Sequence, residues 1–137
     1  MQHKKLLLVE DDPTVSRVLE RAFGRAGYDV VLTNTADRAL RLLRTESVDG
    51  LITNMQTPHL TGRELCERLR EGKGNLPPLV LVVTSRASAE ERRWAEGFAP
   101  AELVEKPVGP RRLLTLVETK LNAPRREEDG AGEEPQQ

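Results

Sequence analysis

The sequence predicts a doubly wound α/β fold, with five parallel strands alternating with five helices in one domain. Three observations carry this expectation. Five short apolar runs recur along the chain: Leu6 to Val9, Val30 to Leu32, Leu51-Ile52, Leu79 to Val83, and Leu103-Val104. Between them lie segments whose apolar residues return every three or four positions, as in helices with one buried side. The apolar runs also stop on polar residues, at Glu10-Asp11-Asp12, Asn54, Thr84-Ser85 and Glu105-Lys106. In an open parallel sheet, the carboxyl ends of the strands are where ligands and chemistry collect. Such alternation favours right-handed crossovers and a sheet covered on both faces.

Strand 1 is expected over Lys5 to Glu10, an unbroken apolar run suited to burial on both faces. Asp12 is placed to cap helix 1, and Pro13 occupies its first turn, where a missing N–H costs nothing. Val15, Val18, Leu19, Ala22 and Phe23 form the predicted packing stripe down to Arg25, and Gly27 marks the exit. Strand 2 is short, from Asp29 to Leu32. Thr35 caps helix 2, which turns Ala36, Ala39, Leu40 and Leu43 inward.

Strand 3 runs from Gly50 to Asn54, and its following loop passes through Pro58 to Leu60. Thr61-Gly62-Arg63-Glu64 matches a capping box, in which threonine and glutamate each satisfy a free backbone N–H. Helix 3 follows to about Arg70. Gly72 to Asn75 and the pair Pro77-Pro78 form a surface loop. Strand 4 covers Leu79 to Val83, and Ser88-Ala89-Glu90-Glu91 reads as a second capping box opening a short helix 4 that ends near Gly97. Strand 5 is expected over Leu103 to Glu105. Gly109-Pro110 opens helix 5, packed through Leu113, Leu114, Leu116, Val117 and Leu121.

The 137 residues suffice for one domain with a single substantial core. That domain is expected over residues 1–122. Residues 123–137 carry Glu127, Glu128, Asp129, Glu133 and Glu134 against two arginines and no large apolar residue, which predicts a disordered acidic tail. Net charge is −1, from 21 basic and 22 acidic residues, and aromatics are 3% of the chain. Neither feature favours a nucleic-acid partner, which wants a basic surface or stacking rings. No apolar stretch is long enough for a membrane span, and the start leads into only a short apolar run, so a cytoplasmic location is expected. Cys66, the single cysteine, falls on the apolar side of helix 3 and reads as a buried small hydrophobe. With two histidines far apart, a zinc site has no ligand set.

The strand ends thus bring an acid pair (Glu10, Asp11), a hydroxyl (Thr84) and a lysine (Lys106) toward Asn54. In that order and on those elements, they resemble the receiver domain of two-component response regulators, over roughly Lys5 to Leu121. The resemblance implies a flavodoxin-like sheet with strand order 2-1-3-4-5. It implies that Glu10, Asp11 and the backbone carbonyl of Gln56 hold magnesium or manganese, and that Thr84 and Lys106 support a phosphoryl group. Pro107 matches a position often preceded by a cis bond. A hard cation with oxygen ligands neutralises phosphoryl charge, which is the physical need behind the acids. Asp12 is better explained as a helix cap.

Three positions depart from the family. Asn54 stands where the phosphoacceptor aspartate belongs, and a neutral carboxamide with a delocalised nitrogen lone pair is no nucleophile toward phosphorus. The lost charge also weakens magnesium binding. Leu103 stands at the switch position, where the family carries an aromatic ring. His59 stands where glycine often follows the loop proline. Two origins for Asn54 remain open: a natural residue in a degenerate receiver acting by protein contacts, or an engineered Asp-to-Asn change in an ordinary phosphoacceptor. Leu103 favours the first, since a single engineered change would leave it alone.

The implied partner is a signalling protein, a histidine kinase or a downstream effector, meeting a face made of helix 4, strand 5 and helix 5. That face carries Arg92, Arg93, Arg111 and Arg112, each also readable as solvated charge. A metal-dependent phosphoryl-transfer enzyme ranks below this, because a nucleophile, nucleotide loop and general base are all missing. A DNA-binding regulator ranks last, with no room for a helix-turn-helix after helix 5.

Overall fold

Strand formation follows the apolar runs closely. The computed structural model, which describes residues 3–122, places β1 at Lys5–Val9, β2 at Asp29–Thr33, β3 at Gly50–Asn54, β4 at Leu79–Thr84 and β5 at Ala101–Glu105. The helices are α1 (Pro13–Arg25), α2 (Ala36–Leu43), α3 (Gly62–Arg70), α4 (Ala89–Glu96) and α5 (Pro110–Asn122). All strand pairs are parallel, in the order β2-β1-β3-β4-β5. The expected acidic tail at 123–137 lies outside the described residues. No helix among the described residues is long and apolar enough to cross a membrane.

The central strands explain why the sheet holds. Every residue of β3 and β4 is buried, because helices cover both faces. On one face Leu7, Leu51, Val80 and Val82 pack with Leu40, Leu43, Leu65, Leu69 and Phe98. On the other, Leu6, Leu8, Ile52 and Leu81 pack with Leu19, Phe23, Leu113 and Val117. Each such side chain contributes about 1.5–3 kcal/mol through burial.

Several boundaries differ from the sequence reading. β1 stops at Val9, leaving Glu10 just outside, while β2 and β4 each gain a terminal threonine. β5 begins at Ala101 rather than Leu103. It is an edge strand whose Glu102 faces water between buried Ala101 and half-buried Leu103, so its start lacks the continuous apolar run of β1 or β4. In α1 the expected packing stripe is only half used. Leu19 and Phe23 are buried, but Val15 and Val18 are 40% and 46% exposed, because the first turns of α1 border a cleft rather than the core.

The helix caps are mostly as read. Asp12 accepts from Thr14 N and Val15 N, and Thr35 caps α2 through Arg38 N. At α3 the capping box is complete: Thr61 N donates to Glu64 Oε1 at 2.9 Å, and Glu64 N donates to Thr61 Oγ1 at 3.1 Å. The bond from the Thr61 backbone N–H holds the Glu64 carboxyl below its ordinary range. The expected box at α4 is only half formed. Ser88 Oγ accepts from Glu91 N at 3.0 Å, but the Glu91 side chain turns to Thr84 instead of back to Ser88.

Candidate functional site

Sheet register brings the first pair of site residues together. Val9 lies opposite Thr53, so the next residue on each strand, Glu10 and Asn54, become neighbours. Asn54 is 8% exposed, and its Nδ2 donates to Glu10 Oε1 at 2.9 Å. The other Glu10 oxygen accepts from the Asp12 backbone N–H at 3.0 Å. Both oxygens of the Glu10 carboxylate therefore hold protein donors. The amide nitrogen of Asn54 faces Glu10 because its carbonyl oxygen there would oppose a carboxylate.

A cleft of about 850 Å³ opens at this end of the sheet, with Glu10, Asp11, Asn54, Gln56 and Lys106 on its lining. Its lining also includes the apolar Val15, Val18, Val83 and Leu113. Asp11 and Lys106 are exposed on the rim. A cis bond precedes Pro107, and Lys106 N donates to Thr84 O at 2.8 Å, fastening the end of β5 to the end of β4.

Thr84 and Leu103 face elsewhere. The Thr84 hydroxyl donates to Glu91 Oε1 at 3.2 Å and to Arg86 O at 3.4 Å, toward α4. Leu103 is half-buried and packs against the same apolar cluster as Trp94. Along β5, Arg92 Nη2 of α4 lies 3.5 Å from Glu105, while Lys120 of α5 lies 2.9 Å from Glu102.

Two features escaped the sequence reading. Gly62, the second residue of the capping box, has its N–H bonded to Met55 O at 2.9 Å. A Cβ there would lie 2.2 Å from the backbone oxygen of Asn54. The signal was a glycine at the first position of a helix, where many residues serve better. The loop before it is the second feature. His59 adopts φ +69, a left-handed conformation that glycine takes without penalty and that histidine takes less often. The Thr57 hydroxyl donates to Leu60 O, and Leu60 N donates to Pro58 O at 2.8 Å. Both Thr57 and Leu60 are buried.

A divalent ion of the magnesium type needs several free oxygen ligands. Here both Glu10 oxygens are engaged, one of them by the Asn54 nitrogen, Asp12 is committed to its helix cap, and of the acids lining the cleft only Asp11 carries no hydrogen bond. Among those residues no three His, Cys, Asp or Glu side chains are grouped to hold an ion. As arranged, the donor set fits such an ion poorly. Cys66 is fully buried in the core, as expected, and burial, with the Glu67 charge adding to it, pushes its thiol up to about 12.

Comparison with known proteins bears on this cleft. A family model described as "Response regulator receiver domain" matches residues 6–118. The response regulator MprA of Mycolicibacterium vanbaalenii is 32% identical over 129 residues, covering 94% of this chain and 54% of its own length. The chain spans about half the length of the curated relatives it matches. Among solved structures, a CheY-like receiver domain protein from Methanospirillum hungatei superposes with a TM-score of 0.79 at 26% identity, covering 96% of this chain and all of that one. The receiver domain of a sensor histidine kinase from Pseudomonas aeruginosa, with magnesium coordinated in its active site cleft, gives a TM-score of 0.75 at 20% identity, covering 89% of this chain and all of that one. That second likeness concerns the fold alone. With the match spanning all five strands and most of α5, the chain belongs to the response regulator receiver domains, the signalling domains of two-component systems.

Proposed function

We propose that this chain is a degenerate receiver: Asn54 occupies the phosphoacceptor position, and the domain signals through protein contacts without taking up a phosphoryl group. The observation that carries this reading is the 2.9 Å bond from Asn54 Nδ2 to Glu10. An aspartate attacks phosphorus through an anionic oxygen, whereas the amide nitrogen is neutral and already committed as a donor. Glu10, Asp11 and the Gln56 carbonyl are then the remnant of a magnesium site whose affinity is weakened by the missing charge. Lys106 keeps an ammonium on the cleft rim, and Leu103 supplies no ring to gate.

Residues 1–122 form the receiver unit and 123–137 an acidic extension. The output surface is the face formed by α4, β5 and α5, offered to a histidine kinase or a downstream effector. Arg93, Arg111 and Arg112 are exposed there, while Arg92 is drawn to Glu105 at 3.5 Å. The domain meets these partners in aqueous solution in the cytoplasm, without nucleic acid or membrane.

Intact-mass measurement after incubation with acetyl phosphate and magnesium tests the reading. No phosphoryl adduct is expected, and one mapping to the loop after β3 overturns it. A second reading, an ordinary receiver whose aspartate was exchanged for Asn54, draws support from the retained acid pair and Lys106 around the cleft. Ready phosphorylation of N54D under the same conditions would favour that second reading.

A further inference from the structure

Helix α4 is held to the body of the domain without burying any side chain fully. Besides the half-buried Trp94, which packs against the core beside Phe98, three consecutive residues each hold a different neighbour. Glu90 Oε2 accepts from Arg63 Nη1 of α3 at 3.3 Å. Glu91 Oε1 accepts from the hydroxyl of Thr84, at the end of β4, at 3.2 Å. Arg92 Nη2 lies 3.5 Å from Glu105, at the end of β5. Successive helical residues diverge by about 100°, so a single turn reaches α3, β4 and β5 at once.

Glu91 is the distinctive member of the three. At the third helical position, a capping-box glutamate turns back to the backbone N–H of the cap, as Glu64 does to Thr61 at 2.9 Å. Ser88 supplies its half of such a box to Glu91 N. The Glu91 carboxylate nevertheless leaves the cap and takes Thr84. Thr84 is only 4% exposed, so its hydroxyl depends on protein acceptors, and the other one, Arg86 O, is more distant at 3.4 Å.

We infer that Glu91 is a resident acceptor for Thr84. Its carboxylate engages the hydroxyl that would otherwise be free to follow chemistry in the cleft, and so fixes α4 and the α4–β5 surface in one docked position. This deepens the proposed function and rests on it, because a phosphoryl group at residue 54 would compete with Glu91 for the same hydroxyl.

Backbone amide exchange across Ala89–Glu96 in the full chain tests the inference, comparing the parent with E91A, E91Q, T84V and the T84V/E91A double variant. Losing one such hydrogen bond should speed α4 exchange about fivefold in E91A and in T84V. The double variant should exchange no faster than either single one, since both remove the same interaction. E91Q keeps the Oε1 acceptor and should stay within about twofold of the parent. Amides of β1 and β3 should stay far slower than those of α4 in every variant, which separates release of α4 from general unfolding.

Parental α4 exchange in T84V, or additive effects in the double variant, would overturn the inference. So would an E91Q rate matching E91A, since that marks a charge effect at the helix N-terminus alone. If T84V does not fold, the comparison of E91A with E91Q decides the matter. An acetyl phosphate adduct on the parent would overturn the proposed function, while the coupling of Thr84 to Glu91 would still stand or fall on exchange.

Discussion

Asn54 donates to Glu10 across 2.9 Å, joining the end of β3 to the residue after β1 through a neutral amide. The contact is self-sufficient: one donor, one acceptor, and a second Glu10 oxygen satisfied by Asp12 N. Two carboxylates at that spacing would repel by a few kcal/mol at an effective dielectric of about 20, and would call for a cation between them.

N54D is therefore expected to lose about 1–3 kcal/mol of stability in chelator and to recover most of it in magnesium, since an ion that binds only the folded state stabilises it. Denaturant unfolding with and without magnesium measures this. Magnesium titration should show binding at least about tenfold tighter than in the parent. Equal affinities would mean that Glu10 and Asp11 are misplaced for an ion whatever stands at 54.

Gly62→Ala should cost more than about 3 kcal/mol, because its Cβ would meet backbone rather than a movable side chain. The atom in the way is the carbonyl oxygen of Asn54, 2.2 Å off, so the variant should also shift the β3 terminus. Gly24→Ala is the matched control. It lies in α1 with nothing within 4 Å of the added carbon, and should stabilise by about 0.5–1 kcal/mol. Paired urea melts compare the two, and similar midpoints would contradict the packing seen around Gly62.

Cys66 should be unreactive in the folded chain. Burial raises its thiol to about 12, so near neutral pH its thiolate fraction is about a thousandfold below that of a free cysteine. A colorimetric thiol reagent should label it only as fast as the protein opens, with full labelling in denaturant. Labelling of folded protein at the rate of a free thiol would show that α3 is not packed as described.

Much of the fold was legible because β1 and β4 are buried on both faces and so read as continuous apolar runs. β5 was read short because an edge strand with exposed Glu102 interrupts its own pattern. Helical periodicity correctly grouped Val15 and Val18 with Leu19 and Phe23, but spacing reports which residues share a side, not how far the covering core extends. The meeting of Glu10 with Asn54 was legible from strand ends and resemblance together. The turn of Glu91 toward Thr84 was not, since a Ser-x-x-Glu sequence serves equally well for a cap and the choice depends on a buried hydroxyl seven residues upstream.

The loop between β3 and α3 is braced by its own bonds, Thr57 to Leu60, Leu60 to Pro58 and Gly62 back to Met55, and by Met55 N donating to Val83 O of β4 at 2.7 Å. Its shape is thus set before anything arrives. A molecule docking against it meets a wall already at rest, so association there would carry little entropic penalty from loop ordering and would discriminate by fit rather than by moulding. The same bracing presents the exposed Gln56, Pro58 and His59 on a backbone already set, as fixed landmarks for whatever docks there.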